Sequence, residues 1–211
     1  MYKYPSRIVS ITLTTVVCAV SGLARSNNSD NGTDVGCYSL PNYQALKTAL
    51  AQAVAAETSG LNNHMWGTIV DRSGIVCAVA FSGSNSGAQW LGSRVISAQK
   101  ANTANAFSLD STSASGGSGG ALVLSTANLY AATQPGGSLF GLQASNPVDT
   151  SVAYAAPAIS FGTSSDPMVG NRIGGVNVFG GGLALYGAGD TLLGAIGVSG
   201  DTSCEIGRAH V

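Results

Sequence analysis

The sequence has few charged residues: they make up 9% of its 211 positions, whereas a soluble domain averages about 25%. Nine basic and 10 acidic residues give a net charge of −1, so the chain has no positive field that would attract a nucleic-acid backbone. Hydrophobic residues make up 45% of the chain, which is ordinary for a folded domain. The composition therefore argues against nucleic-acid binding and excludes a wholly disordered chain.

Histidine is nearly absent, since only His64 and His210 occur. No CxxC, HxxxH or HExxH spacing is present, so no zinc motif can be recognised. No serine lies in a GxSxG elbow between a strand and a helix, and no GxGxxG loop follows a strand. These absences argue against a zinc enzyme, a serine hydrolase and a dinucleotide-binding enzyme, and we predict no catalytic residues.

The first 24 residues are typical of a secretory signal. A basic start with Lys3 and Arg7 precedes an uncharged run over 8–20, and Gly22-Leu23-Ala24 offers a small-residue cleavage site. The run is shorter than the roughly 20 residues of a membrane span. We expect a secreted or periplasmic protein with no membrane span after signal removal; a retained anchor and a lipoprotein are the alternatives.

The ends of the mature chain are expected to lie outside the fold. Residues 25–36 are polar and turn-forming, which predicts a disordered lead-in. The C-terminal heptapeptide 205–211 resembles a translated sequencing adapter, so we interpret it as a non-native tail; a genuine short tail is the alternative. The domain itself is predicted over 37–204, with a flexible Gly/Ser insertion at 111–120.

Hydrophobic periodicity predicts an α+β domain with an antiparallel sheet. A first helix is indicated by Ser39 or Asn42 as cap and apolar residues through Val54. A Gly180-Gly181-Gly182 run predicts a bulge or a close backbone approach within a late strand. The other predicted elements are a hairpin of strands 66–70 and 75–81, a helix over 93–107 capped by Ser93, a short helix over 125–133, a Pro/Gly-rich loop over 134–172, and strands over 176–186 and 191–198.

Three cysteines remain after signal removal, and this use of cysteine favours an exported protein. Cys77 lies among alternating apolar residues of a strand, which predicts a buried free thiol. Cys37 and Cys204 lie at the two ends of the folded region. We therefore predict a Cys37–Cys204 disulfide.

Cations are scarce in the predicted domain, so each one is informative. Arg94 and Lys100 lie on a helix that is otherwise almost free of charge. They are candidates for binding an anionic group such as a carboxylate or propionate. The alternative is ordinary solvent exposure or local pairing.

The order of these segments resembles the GlcG/HbpS-like haem-binding family, which is related to the C-terminal domain of PduO-type proteins. The resemblance rests on TIVDRSGIVCAVAF, on SRVISAQKANTANAF with Ser93 and Lys100, and on the terminal GAIGVSG. It implies a profilin-like antiparallel sheet flanked by helices in one domain, assembly into homo-oligomers, and haem or a related tetrapyrrole as ligand. The helix expected after Cys204 is missing from this chain.

With haem as the ligand, the resemblance makes His64 the candidate axial ligand of the iron, with Met65, Tyr130 and Met168 as weaker candidates. Arg94, Lys100 and Arg172 would face the propionates. We therefore predict a secreted haem-binding protein with a non-catalytic role in ligand binding or sensing. The alternatives are an oligomeric interaction module without cofactor, and an accessory protein of small organic acid metabolism.

Overall fold

Two helices pack on opposite faces of a four-stranded antiparallel sheet. The computed structural model describes residues 36–57, 63–110 and 122–202. The strands have the order β2-β1-β4-β3, which confirms the predicted α+β class and antiparallel sheet. The elements are α1 (Tyr43–Ala55), β1 (Trp66–Asp71), β2 (Val76–Phe81), α2 (Gly92–Phe107), α3 (Thr150–Ala153), β3 (Gly182–Tyr186) and β4 (Leu192–Ser199).

Alternation along β1 determines which helix each residue meets. Trp66 and Val70 belong to the core on the α2 side, where the hydroxyl of Thr68 lies 2.7 Å from that of Ser97. Ile69 belongs to the core on the α1 side. All six residues of β1 are buried, because helices cover both faces of this central strand.

Glycine allows α2 to lie directly on the sheet. A Cβ at Gly197 would be 2.0 Å from the carbonyl oxygen of Ser97, and one at Gly182 would be 2.5 Å from that of Lys100. Both separations are far below van der Waals contact. The predicted close backbone approach is therefore confirmed at Gly182, where β3 begins.

Local sequence signals located the first two helices and the hairpin correctly. The Asn42 side chain accepts the N–H of Ala45 and caps α1, and β1 pairs antiparallel with β2. The cap prediction for Ser93 was wrong: α2 begins one residue earlier, after Leu91, without a side-chain cap. The helix predicted over 125–133 is instead two 3-10 turns, at Thr126–Leu129 and Ala131–Thr133.

The late strand is shorter than its apolar pattern suggested. β3 begins only at Gly182, although the pattern predicted a strand from Val176. In the structure the N–H of Asn177 donates to the Thr103 hydroxyl and that of Val178 to the Gln143 side chain. Side chains thus take the backbone donors that a strand would have used in a ladder.

The predicted cysteine pairing was wrong. Cys37 is bonded to Cys77, with Cα atoms 5.3 Å apart, so Cys77 is neither free nor fully buried. A 3-10 turn over Cys37–Ser39 places Cys37 beside the β1–β2 hairpin. The position of Cys37 in the sequence could not reveal this contact. Cys204, the predicted signal (1–24), nearly all of the predicted lead-in (25–36), the predicted insertion (111–120) and the predicted non-native tail (205–211) lie outside the described residues.

None of the helices within the described ranges is long and apolar enough to cross a membrane.

Candidate functional site

His64 lies just before β1, at the end of the sheet where β2 finishes. Its Nδ1 is 3.3 Å from the hydroxyl of Ser82, and the same hydroxyl accepts the N–H of Met65 at 2.9 Å. The imidazole also meets the Phe81 ring edge to face, with centroids 5.8 Å apart. Within the described part of the chain no group is hydrogen bonded to Nε2, so this nitrogen is the one available to a ligand.

A groove of about 140 Å³ is lined by Phe81 and Gly83, which both lie against His64, although the imidazole itself is not part of the lining. Gly83 allows the loop after β2 to pass close to both rings, because a Cβ there would lie 2.5 Å from the Phe81 ring and 3.1 Å from Cγ of His64. Phe161 and Ile159 form an apolar wall, and Ile159 is 88% exposed. Residues 84–86 and Thr163 add polar groups to the lining. The half-buried imidazole therefore lies against one side of a cleft that is partly apolar and partly polar.

Lys47 supplies a cation at the same groove. Its Nζ donates to the Tyr43 hydroxyl at 3.3 Å, and that hydroxyl donates to the carbonyl of Gly162 at 3.3 Å. No motif in the sequence indicates a role for Lys47. The scarcity of cations was the signal that could have singled it out, but only the packing of α1 brings it to this groove.

Arg94 has a structural role, and this corrects its assignment as a propionate ligand. It is fully buried, and its Nε and Nη2 bind the carboxylate of Asp166 at 2.8 and 2.5 Å. Nη1 donates to the carbonyl of Ala153 at 2.6 Å, and the guanidinium lies 3.9 Å from the centre of the Phe161 ring. Each nitrogen of the guanidinium is hydrogen bonded inside the protein. Of the two alternatives to anion binding, solvent exposure and local pairing, Arg94 therefore fits local pairing.

Lys100 is also enclosed, with 2% of its surface exposed. Its Nζ donates to the carbonyl of Val198 at 3.0 Å. Burial lowers the pKa of Lys100 to about 8, because desolvation penalises the charged amine. The buried position does not support contact with a propionate.

The remaining candidates are dispersed over the domain. Arg172 is exposed, but its Nε donates to the carbonyl of Ser73 at 2.6 Å, in the hairpin turn at the opposite end of β1 from His64. Met65 and Met168 are buried, so their thioethers do not reach a surface ligand. The structure therefore does not bring His64, Arg94, Lys100 and Arg172 into one site.

A second, more open groove of about 420 Å³ surrounds Tyr130 and Phe179. The two rings are 48% and 52% exposed and stack with centroids 6.2 Å apart. Val178 and Ala127 complete an apolar lining. Sequence reasoning missed this surface, because the two aromatic residues are about 50 positions apart and no periodicity connects them.

Comparison with known proteins links this chain to one family. The model of the family described as "Haem degrading protein HbpS-like" matches residues 42–205, and no curated protein gives a significant match. Klebsiella pneumoniae protein ORFY is 22% identical, with a TM-score of 0.46 over 78% of this chain and 82% of its own. The PduOC structure, in complex with haem, is 22% identical, with a TM-score of 0.47 over 77% and 84%. Because the family model covers most of its length, the chain belongs to the HbpS-like family.

Proposed function

We propose that the chain is an exported haem-binding protein and that His64 is the axial ligand. The observation that carries the proposal is the half-buried His64 imidazole, which Ser82 contacts at Nδ1 and which lies against Phe81, a lining residue of the neighbouring groove. Histidine nitrogen is a common axial ligand of haem iron. The description of the family, which names haem, supports the choice of ligand.

The chemical types of the residues around His64 suit haem. Ile159 provides exposed apolar surface for a flat macrocycle, whereas Phe81 and Phe161 are largely buried behind the groove surface. Lys47 provides a cation for a propionate. The groove of about 140 Å³ is smaller than the roughly 300–1,000 Å³ of a typical ligand pocket. The cleft would therefore cover one edge of the macrocycle, and the exposed Ile159 would contact more of it. Bound haem supplies a redox-active iron; the chain binds and orients it.

Export is supported by the disulfide as well as by the N-terminal sequence. Cys37 and Cys77 are joined, and such bonds persist in oxidising compartments. We place the mature protein outside the cytoplasm, either secreted or periplasmic. Peptide mapping of protein recovered from the culture medium or periplasm would test this, and a chain retained in the cytoplasm would contradict it.

The haem proposal is tested by titrating the purified mature chain with haemin. We expect a saturable Soret shift, and binding more than about tenfold weaker in His64→Ala, since tenfold corresponds to only about 1.4 kcal/mol. Lys47→Gln should weaken binding about threefold, as expected for a partly exposed ion pair. Tyr154→Ala, at an exposed side chain that lines neither groove, is the control and should bind as wild type.

Two results would contradict this function. One is the absence of a saturable shift; the other is equal binding by the wild type and His64→Ala. We further propose a non-catalytic role in binding or sensing. Because the family description names haem degradation, the loaded protein should also be followed with ascorbate and oxygen, and a loss of Soret absorption faster than that of free haemin would refute the non-catalytic role.

The groove at Tyr130 and Phe179 favours self-association as a second property. Two half-exposed aromatic rings on an apolar surface are typical of an interaction site. We propose that this surface packs against a second copy of the chain. Light scattering after gel filtration should show a homo-oligomer that Tyr130→Ser/Phe179→Ser dissociates; a monomeric wild type would exclude it.

A further inference from the structure

Three potential metal ligands meet where the N-terminal turn crosses the hairpin. The Sγ atoms of Cys37 and Cys77 and a carboxylate oxygen of Asp71 all lie within 4.8 Å of one another. Cys37 precedes α1, Asp71 ends β1, and Cys77 lies in β2. The site therefore joins two segments that are 40 residues apart along the chain.

The carboxylate of Asp71 is held rigidly at this point. Its Oδ1 accepts the N–H groups of Ser73 and Ile75 at 2.8 and 2.9 Å, and the residue is 2% exposed. No cationic side chain in the described segments is within ion-pair distance of it. A carboxylate so placed, with hydrogen bonds but no counter-charge, is suited to a bound cation.

The other oxygen of Asp71 faces the residue before Cys37. A Cβ at Gly36 would lie 2.6 Å from Oδ2 of Asp71, so only glycine allows this approach. The carboxylate is thus in close contact with the backbone of the N-terminal turn. This arrangement brings an oxygen ligand to two sulfur atoms.

The disulfide and a metal ion would be alternative occupants of this site. A dithiol reductant converts the bond between Cys37 and Cys77 into two thiols and itself becomes a disulfide, with two electrons and two protons transferred. A divalent ion then displaces one proton from each thiol. Tetrahedral bonds of about 2.3 Å require sulfur atoms about 3.8 Å apart, so the ligands need move only a short distance.

We propose that reduced Cys37 and Cys77, together with Asp71, form a three-ligand site for a thiophilic divalent ion of the zinc class. Two thiolates and one carboxylate match the ligand preference of zinc, and the fourth position is left for water. The ion would replace the disulfide as the link between the N-terminal turn and the hairpin. The chain would then be cross-linked in both redox states.

The test uses the full mature chain, reduced with a phosphine that is then removed under nitrogen, and Co²⁺ as the probe. We expect one equivalent to bind with near-ultraviolet thiolate-to-cobalt absorption that Zn²⁺ abolishes. The oxidised chain should give no such band. Cys204→Ser is the matched control and should behave as wild type, because the proposed site does not include that thiol.

Two variants separate ligation from folding. Asp71→Asn keeps an oxygen that can accept the N–H groups of Ser73 and Ile75, and it should bind at least about tenfold more weakly, a loss that even outer-shell changes produce. Cys77→Ser should lose the thiolate band, and circular dichroism should show both variants folded. No band in the reduced wild type, or undiminished binding by Asp71→Asn or Cys77→Ser, would overturn the proposal.

Discussion

Removal of one partner of the Arg94–Asp166 pair should destabilise the protein strongly. Both side chains are buried, and Asp166 also accepts the N–H groups of Gly162 and Met168 at 2.7 and 2.9 Å. The ion pair therefore links the long segment after residue 134, which contains Asp166, to Arg94 of α2. Breaking a buried pair on one side costs about 3–5 kcal/mol, because it leaves an uncompensated buried charge. We expect Asp166→Ala to lose that much of its free energy of unfolding.

The size of the effect can be measured by urea unfolding monitored through tryptophan fluorescence. Trp66 is buried and stacks on Phe81 with centroids 4.2 Å apart, so its emission reports the loss of this core. For a domain of this size the expected loss also lowers the melting temperature by about 6–20 °C. Asp149→Asn, on an exposed helix cap, is the matched carboxylate control and should change little.

A double-mutant cycle tests the physical reasoning. If the cost arises from an unpaired charge, Arg94→Met/Asp166→Ala should be destabilised by clearly less than the sum of the two single variants, with a coupling energy of about 3 kcal/mol. Additive losses, or single losses below about 1 kcal/mol as in exposed pairs, would refute the account of a buried pair.

Three further predictions concern packing, pH and the disulfide. Gly197→Ala should cost about 3 kcal/mol by overpacking the contact between α2 and β4, whereas Gly87→Ala, whose Cβ would meet only the end of a side chain at 3.3 Å, should be nearly neutral; equal losses in urea unfolding would contradict this. The pKa of Lys100 is lowered from 10.5 to about 8, so the unfolded chain binds more protons between these values and stability rises with pH across that window. Lys100→Met should abolish this rise of up to about 3 kcal/mol, as measured by unfolding at pH 7 to 10.5, and an unchanged pH profile would refute it. Non-reducing peptide mapping should recover Cys37 linked to Cys77, whose loop of 40 residues stabilises the fold by about 4 kcal/mol; a bridge from Cys37 to Cys204 would contradict the structure.

The local elements were predictable because their signals lie within a few residues. Asn42 caps the first helix by binding Ala45 three positions later, and a short turn sets the β1–β2 hairpin. The second helix was also predicted, over 93–107, although the cap assigned to Ser93 was wrong. The family resemblance, read from such segments, agrees with the match over 42–205.

The site could not be predicted in the same way, because it depends on contacts between distant residues. From the sequence, Arg94 was a candidate for binding an external anion. In the structure, the segment 134–172 covers it and supplies Asp166, which lies 72 positions away along the chain. Lys47 reaches the groove beside His64 only because α1 packs on that end of the sheet. Charge scarcity shows that a cation matters, but not whether it is buried.

The sequence by itself determined the two main helices, the hairpin, the α+β class and the family. The tertiary structure decided the pairing of Cys37 with Cys77, the burial of Arg94 and Lys100, and the partners of His64. The physical reason is the distance along the chain over which each interaction acts. Capping, turns and amphipathic periodicity act over at most a few turns of chain, whereas ion pairs, disulfides and grooves form between segments that only the order β2-β1-β4-β3 brings together.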